Sequence, residues 1–294
     1  MASNNNTDFQ LGNLFNVKDK IALVTGGGSG IGLMATQALA VNGCKVYIVG
    51  RSEDKLERVA EIYGKDIPGQ IIPLTADITK KEDIKRLVAD FEKREKCLCM
   101  LVNNAGIAGA THKPEGDSAE QVRANIFDPE DQSFELWEQV YRTNVGQLYF
   151  LSTAFLPLLQ RATEHQYGYS GTILNITSIS GVVKRSQNHF AYNASKGAAI
   201  HLTKLLANEL FLAGLKIRVN SVAPGVFPSE MTAGGQSGED QKSELPKEKY
   251  ASIPAGRPGN DRDMGSAILF ALSNQYFNGQ NVVVDGGYLI ANGA

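Results

Sequence analysis

The sequence predicts an α/β protein whose parallel strands are covered by helices on both faces. Short apolar runs alternate along the chain with segments whose apolar residues recur at helical spacing. The run from Leu98 to Val102 is almost wholly apolar, which is typical of a strand inside a parallel sheet with both faces buried. The 294 residues, 43% of them hydrophobic, are enough for one large domain of this kind.

A glycine-rich turn lies between the first strand and the first long helix. The strand Ile21 to Thr25 ends in Gly26-Gly27-Gly28-Ser29-Gly30-Ile31-Gly32, and a helical pattern precedes the next strand, Lys45 to Val49. This order predicts a right-handed βαβ unit. Backbone N–H groups at a helix N-terminus favour anions, and glycines admit a pyrophosphate, so the turn predicts dinucleotide binding. A glycine-rich turn without a ligand is the alternative.

The residues after the second and third strands indicate which dinucleotide is bound. The second strand ends at Gly50-Arg51-Ser52, where the carboxylate expected for an adenosine 2′-hydroxyl is absent. Arg51 suits a 2′-phosphate and Ser52 could add a donor, so we expect NADP(H). The alternative is that Arg51 is a solvated loop charge. Asp77, after the third strand, could accept a hydrogen bond from an adenine amino group or cap the next helix.

The same alternation continues to the end of the chain. We predict a polar N-terminal tail over residues 1–17 and one domain over residues 18–294. The predicted helices are Glu53 to Tyr63, Lys81 to Lys93, Ser133 to Gln160, Phe190 to Leu212 and Asp261 to Leu272, and the later strands are Gln70 to Thr75, Thr172 to Thr177, Ile217 to Val222 and Asn281 to Asp285. Residues 107–135 should form a long loop with one short helix. Residues 226–260, with a charged run at 239–249 that could be helical, are typical of a substrate lid.

A tyrosine and a lysine lie four residues apart within the predicted helix Phe190 to Leu212. Tyr192 and Lys196 should therefore project from one face, one turn apart. A neighbouring ammonium can lower the pKa of a phenol from its unperturbed value near ~10, so the pair could act as a proton donor. An amphipathic helix with a snorkelling lysine is the alternative, because this spacing is common.

The composition argues against several other classes of protein. The formal net charge is −2 and no dense Lys/Arg run occurs, so we expect no binding to nucleic acid or to a membrane. No apolar stretch approaches the ~20 residues that span a bilayer, and the chain start lacks a signal-peptide pattern, so we expect a cytoplasmic protein. Cys44, Cys97 and Cys99 lack the number and spacing of zinc ligands, so we expect reduced thiols and no metal. Cys97 and Cys99 should share one face of a strand.

Seven motifs occur in a fixed order: Thr25-Gly26-x-x-x-Gly30-Ile31-Gly32, Asp77, Asn103-Asn104-Ala105-Gly106, Asn144, Ser178, Tyr192-x-x-x-Lys196 and Pro224-Gly225. In this order, each at the end of a suitable strand or in a suitable helix, they resemble the short-chain dehydrogenase/reductase family over residues 18–290. The stretches Ala223 to Thr232, Ala251 to Pro254 and Gly256-Arg257 are more weakly similar to its rhamnolipid-type β-ketoacyl reductase branch.

The resemblance implies a three-layer, doubly wound Rossmann fold with a seven-stranded parallel sheet in the order 3-2-1-4-5-6-7. It also implies catalytic roles. Tyr192 would donate the proton, Lys196 would hold the nicotinamide ribose and lower the pKa of that tyrosine, Ser178 would bind the substrate oxygen, and Asn144 would distort its helix and hold a water. The implied NADP(H) contacts are Gly26, Ser29, Gly30, Ile31, Arg51, Ser52, Asp77, Ile78, Asn104, Ala105, Gly106, Tyr192, Lys196, Pro224, Gly225, Phe227 and Ser229.

These residues predict an NADP(H)-dependent oxidoreductase, of the 3-oxoacyl or polyketide type, that reduces a ketone to a secondary alcohol. The alternatives are an NAD-linked alcohol dehydrogenase working oxidatively and a non-redox, cofactor-binding biosynthetic protein on the same scaffold. The expected partners are a small-molecule ketone or alcohol and further copies of the chain. The family commonly forms homodimers or homotetramers through the helices carrying Asn144 and Tyr192, where Phe150, Phe155 and Phe211 offer apolar surface.

Two departures from the family pattern concern the entrance of the site. Ser178 and Tyr192 are 14 residues apart, one more than is usual in the family, so the loop between them should carry an extra residue near the substrate. The stretch from Gly106 to Asn144 is also long, which should add a lip over the site.

Overall fold

Seven parallel strands form one sheet at the centre of the computed structural model, which describes residues 5–235, 237–251 and 253–293. The strands are β1 (Ile21–Thr25), β2 (Lys45–Gly50), β3 (Gln70–Thr75), β4 (Met100–Asn103), β5 (Thr172–Ile176), β6 (Arg218–Pro224) and β7 (Asn281–Val284). Their order is β3-β2-β1-β4-β5-β6-β7, and every neighbouring pair is parallel. The predicted sheet is confirmed. Because the winding direction reverses at β1 and β4, the carboxyl ends of these strands flank a crevice.

Helices cover both faces of this sheet. In chain order they are α1 (Leu11–Leu14), α2 (Gly30–Ala40), α3 (Glu53–Tyr63), α4 (Lys81–Arg94), α5 (Ala119–Ile126), α6 (Phe134–Tyr141), α7 (Gln147–Ala154), α8 (Leu156–His165), α9 (Phe190–Leu212), α10 (Glu230–Ala233), α11 (Asp261–Ser273) and α12 (Tyr288–Asn292). Apolar side chains of α2, α3 and α11 form the core on one face, and those of α4, α7, α8 and α9 form it on the other. This confirms the three-layer doubly wound Rossmann fold.

The predicted helix from Ser133 to Gln160 is divided into three pieces. A π-helical turn, Arg142–Gly146, joins α6 to α7, and the chain breaks again at Phe155 before α8. Pro157 lies in the first turn of α8. Proline lacks an N–H group and fits the start of a helix, so the helix restarts there and continues to His165.

Other local predictions are corrected by the pairing and packing of the chain. β4 begins at Met100, where pairing with Ala22 of β1 starts, so Cys97 and Cys99 precede the strand. All three cysteines are free thiols, and Cys44 and Cys99 are buried. The charged run 239–249 forms no α-helix, because it lacks an apolar face, and its end contributes to a 3₁₀ turn at Lys247–Tyr250.

The predicted N-terminal tail contains short helical pieces. Residues 1–4 of the predicted tail, Gln236 and Ser252 of the predicted lid, and Ala294 lie outside the described residues. The described part of the tail carries a 3₁₀ turn (Asn6–Phe9) and α1, both largely exposed, and Val17 is its buried core residue. Within the described ranges, no helix is both long enough and apolar enough to cross a membrane.

Candidate active site

The turn between β1 and α2 follows a path that requires glycine. Gly26 and Gly30 have φ angles of 65° and 53°, in the left-handed region that disfavours residues with a Cβ. A Cβ on Gly32 would overlap the carbonyl oxygen of Gly26, whereas one on Gly28 would meet only side chains, at 3.5 Å or more. Ser29 precedes α2 without capping it through its side chain. The turn therefore presents bare backbone at a helix N-terminus, an arrangement that favours phosphate.

The segment after β4 is tied to this turn by Thr25. The Thr25 hydroxyl accepts hydrogen bonds from the backbone N–H groups of Asn104 (2.9 Å) and Ala105 (3.1 Å). The Asn104 amide donates to the carbonyl oxygen of Thr25 at 2.9 Å. These bonds fix the two sides of the crevice relative to each other. The sequence motif contains Thr25, but its hydroxyl gains this role only because β1 and β4 are neighbours in the sheet.

Asn144 lies in the π-helical turn between α6 and α7 and is buried. Its Oδ1 accepts from the backbone N–H of Ile107, and its Nδ2 donates to the carbonyl oxygen of Ile107, both at 2.9 Å. Nδ2 also donates to the Ser195 hydroxyl at 3.0 Å, which in turn donates to the Tyr192 carbonyl at 2.7 Å. The asparagine thus links the loop after β4 to α9. Its bonds outside its own helix are consistent with the predicted helix distortion.

Ser178, Tyr192 and Lys196 meet at the carboxyl end of β5. Ser178 lies close enough to the Tyr192 phenol to lower the pKa of that group. The buried Lys196 ammonium donates to the carbonyl oxygen of Ile176 at 2.9 Å and lies 5.6 Å from the centre of the Tyr192 ring. The predicted shared face of Tyr192 and Lys196 is therefore present, and α9 brings both side chains to the serine after β5.

Burial changes the proton affinity of both groups. It raises the pKa of Tyr192, against the opposing effect of the hydrogen bond with Ser178, and it lowers the pKa of Lys196 to about 8. The lowered tyrosine pKa that the family resemblance implies is therefore not found in this structure, because desolvation of the phenolate outweighs the favourable contact. At neutral pH the Tyr192 phenol therefore carries its proton. The pKa of Lys196, about 8, lies roughly one unit above neutral pH.

The loop from Gly181 to Phe190 makes contacts with two other segments. Gln187 and Asn188 both have left-handed backbones, with φ angles of 51° and 66°. The Gln187 amide donates to the Tyr288 hydroxyl at 3.1 Å, and the Asn188 carbonyl accepts from the His112 N–H at 2.8 Å. The two long segments noted in the sequence thus meet beside Tyr192.

The predicted adenosine-binding residues lie at the adjoining carboxyl ends of β2 and β3. Arg51 and Ser52 are exposed. Asp77 accepts hydrogen bonds from the N–H (3.1 Å) and hydroxyl (2.7 Å) of Thr79, so it closes a local turn and does not cap α4. The Ile78 side chain is buried in the core, which leaves only its backbone for a ligand.

The predicted nicotinamide-binding residues follow β6. Pro224 ends the strand, and the N–H of Gly225 donates to β7 at 2.9 Å. The Phe227 side chain is buried in the core, so only its backbone is available. Ser229 caps α10 and packs close to Gly30, where an added Cβ would stand 2.9 Å from that of Ser229. This segment therefore returns across the glycine turn.

The crevice has the features of a dinucleotide site. One wall is the bare backbone of the glycine turn, continued by Ile31 in the first turn of α2. On the other wall, a Cβ on Gly106 would stand 3.1 Å from Asn144 Oδ1 and 3.7 Å from Lys196 Nζ, so the missing side chain keeps this space open. A protonated phenol adjoins it. Fold and site together define a Rossmann protein with an open crevice at the carboxyl edge of its sheet, where proteins of this fold bind ligands.

Comparisons with known proteins identify the family. The short chain dehydrogenase model matches residues 20–240. The chain is 39% identical over 282 residues to the short-chain dehydrogenase/reductase PhomF of Diaporthe leptostromiformis, covering 94% of this chain and 93% of that one. It is 32% identical to the rhamnolipids biosynthesis 3-oxoacyl-[acyl-carrier-protein] reductase of Pseudomonas aeruginosa, covering 93% and 98%. The chain belongs to the short-chain dehydrogenase/reductase family and is an oxidoreductase of that family.

Solved structures with the same fold contain either nicotinamide cofactor. The Pseudomonas aeruginosa RhlG/NADP active-site complex matches with a TM-score of 0.75 and 29% identity, covering 94% of this chain and 98% of that one. A 7α-hydroxysteroid dehydrogenase complexed with NADH and 7-oxo glycochenodeoxycholic acid matches with a TM-score of 0.75 and 26% identity, covering 93% and 95%. The fold is therefore compatible with NAD(P), and the choice between the two depends on this chain's own residues.

Proposed function

We propose that this protein is an NADP(H)-dependent carbonyl reductase that converts a ketone to a secondary alcohol. The observation that carries the proposal is the convergence of Ser178, Tyr192 and the buried Lys196, whose ammonium lies 5.6 Å from the centre of the Tyr192 ring. A protonated phenol beside a second donor is the pair that a ketone oxygen needs as it gains negative charge.

Each of the four polar residues has one role in this proposal. Ser178 donates a hydrogen bond to the ketone oxygen, and Tyr192 transfers its proton to that oxygen. Lys196, whose pKa of about 8 lies close to neutral, supplies positive charge as the phenolate forms and helps to return the proton. Asn144 holds the loop after β4 in place. A bound nicotinamide would supply the hydride for the carbonyl carbon, while Tyr192 supplies the proton for the oxygen.

We propose that the cofactor contacts are divided between two parts of the crevice. Those at the phosphates and nicotinamide are Gly26, Ser29, Gly30, Ile31, Asn104, Ala105, Gly106, Tyr192, Lys196, Pro224, Gly225, Phe227 and Ser229, with Phe227 acting through its backbone. Those at the adenosine are Arg51, Ser52, Asp77 and Ile78, the last through its backbone. The exposed Arg51 guanidinium favours NADP(H), because a 2′-phosphate accepts charge-assisted hydrogen bonds from it.

Arg51→Ala tests the cofactor preference. Loss of one charge-assisted contact should weaken NADPH binding by about tenfold and leave NADH binding nearly unchanged. Fluorescence titration of the two reduced cofactors measures both constants. Tighter binding of NADH than of NADPH by the wild-type protein would instead favour the NAD-linked alcohol dehydrogenase.

We further propose that residues 226–260 form a lid over the substrate. The segment is anchored to α3, where the Tyr63 hydroxyl donates to the Asp240 carbonyl at 2.6 Å, and to α11, where Lys242 pairs with Asp261 at 2.6 Å. A 3-oxoacyl or polyketide-type ketone is the substrate class that the Pseudomonas relative suggests. A panel of acyl, polyketide and polycyclic ketones, assayed by NADPH oxidation, tests this. Turnover confined to small alcohols with NAD would contradict it.

A homodimer or homotetramer formed through α7 and α9 is also proposed. Phe150 and Phe211 are 43% and 71% exposed, which supports an interface there. Phe155 does not contribute to that surface, because it is fully buried in the core against Phe91. Light scattering of the purified protein that shows only monomer would contradict the proposal.

A further inference from the structure

An ion pair joins the predicted lid to α3 at the mouth of the glycine turn. Lys55 Nζ lies 2.6 Å from Glu230 Oε1, the first residue of α10. The same oxygen accepts hydrogen bonds from the N–H (3.2 Å) and the hydroxyl (2.9 Å) of Ser237. Partial burial opposes ionisation, but the hydrogen bonds from Lys55 and Ser237 hold the pKa of Glu230 below its ordinary value. At neutral pH the predicted lid therefore holds a negatively charged carboxylate beside the Lys55 ammonium.

Lys55 packs beside the glycine turn. It is the third residue of α3, one turn beyond Arg51 along the chain. Its Cβ lies 3.6 Å from the position that a Cβ on Gly28 would occupy. Ser229, which precedes Glu230, packs against Gly30 of the same turn. The lysine and its carboxylate partner thus lie beside the glycine turn, and the lysine follows Arg51 by four residues along the chain.

We propose that Lys55 is a second cationic determinant for the 2′-phosphate of NADP(H), and that it exchanges the Glu230 carboxylate for that phosphate. The inference rests on the proposed function. Arg51 alone offers one guanidinium to a group that carries nearly two negative charges, and Lys55 is the next cation along α3. One N⁺–H···O⁻ bond forms for each one that breaks.

The lid ion pair is of a kind that can be released. The two side chains are 40% and 31% exposed, and pairs at such positions stabilise a protein only slightly. The phosphate carries more charge than the carboxylate it replaces, so the exchange favours the nucleotide. Its consequence is that NADP(H), but not NAD(H), detaches Glu230 from α3. Cofactor identity and the seating of the lid are thereby coupled through one lysine.

Titrations of the full chain with NADPH and with NADH test the exchange. Lys55→Gln should weaken NADPH binding by about tenfold without changing NADH binding, since one charge-assisted contact is lost. Glu230→Gln should tighten NADPH binding by roughly two- to fivefold, because it removes a weakly paired competitor. In the Lys55→Gln background, Glu230→Gln should have no effect on NADPH, since its partner is gone.

Matched controls separate this exchange from general electrostatics. Lys65→Gln removes a positive charge just beyond the end of α3, and Glu239→Gln removes a negative charge from the same lid segment; both should leave the ratio of the two binding constants unchanged. Thermal unfolding of every variant verifies that it is folded.

Two results overturn the inference while the proposed function stands. In the first, the wild-type protein binds NADPH more tightly than NADH, but Lys55→Gln changes the binding constants of both cofactors equally or changes neither. The other is an effect of Glu230→Gln that persists when Lys55 is replaced. A wild-type protein that binds NADH more tightly than NADPH overturns the proposed cofactor itself, and the inference with it.

Discussion

Replacing Asn144 by alanine should destabilise the protein markedly, because this buried amide ties the loop after β4 to the π-helical turn. The substitution removes the bonds to the backbone N–H and carbonyl oxygen of Ile107, each 2.9 Å long, and the bond to the Ser195 hydroxyl. A buried donor or acceptor left unpaired costs ~1–3 kcal/mol. Here the backbone N–H and the carbonyl oxygen of Ile107 each lose their partner. The expected loss is therefore about 2–5 kcal/mol, a large share of the roughly 5–15 kcal/mol typical of a folded domain.

Urea unfolding, followed by circular dichroism, measures this loss against a matched control. Asn125 in α5 is exposed and donates one hydrogen bond, to the Glu115 carbonyl at 2.6 Å, so Asn125→Ala should cost less than about 1 kcal/mol. Asn144→Asp keeps an acceptor for the Ile107 N–H but sets a buried carboxylate against the Ile107 carbonyl oxygen, so at neutral pH it should destabilise the protein at least as much as alanine. A loss for Asn144→Ala no larger than that for Asn125→Ala would refute the reasoning.

Two further predictions concern the turn and the lysine. Gly32→Ala should abolish cofactor binding, because its Cβ would overlap the Gly26 carbonyl. Gly28→Ala should bind the cofactor nearly normally, since its Cβ would meet only side chains at 3.5 Å or more. Equal binding constants of the two variants in NADPH titrations would be inconsistent with the turn described. Because burial lowers the pKa of Lys196 from 10.5 to about 8, the unfolded chain binds more protons than the folded one between these values, and stability there should rise with pH. Relative to Lys196→Met, the wild type should gain about 2 kcal/mol from pH 8 to pH 10, at ~1.4 kcal/mol per unit. Parallel stability curves for the two proteins would show that the lysine is not desolvated.

The fold could be predicted from the sequence because its pattern is local. The apolar runs and helical spacing predicted the bounds of β1, β3, α3 and α9 as the structure has them. The break in the predicted helix Ser133 to Gln160 and the first residue of β4 could not be placed, since both depend on tertiary partners. The π-helical turn lies at Arg142–Gly146 because Asn144 bonds to Ile107, and β4 begins where β1 begins to pair with it. The spacing of apolar residues along the chain reveals neither the contact with Ile107 nor the pairing with β1.

The sequence predicted which polar side chains lie together, but not how burial changes their pKa values. Helical spacing placed Tyr192 and Lys196 on one face, and the family motif brought in Ser178. The pKa of Tyr192 was expected to fall and instead rises, because the depth of burial is a property of the assembled core. The ion pair between Lys55 and Glu230 joins residues 175 positions apart, so no sequence spacing could reveal it.

The proton-donor role of Tyr192 is tested most directly by Tyr192→Phe, measured with a ketone that the wild-type protein reduces. The phenyl ring keeps the aromatic contact with His189, at 6.2 Å between ring centres, and the substitution removes only the hydroxyl near Ser178. We predict that turnover falls by about 10²–10⁴-fold, the usual contribution of a general acid, while NADPH binds within roughly threefold of the wild type. Turnover close to that of the wild type, with NADPH bound, would contradict the account.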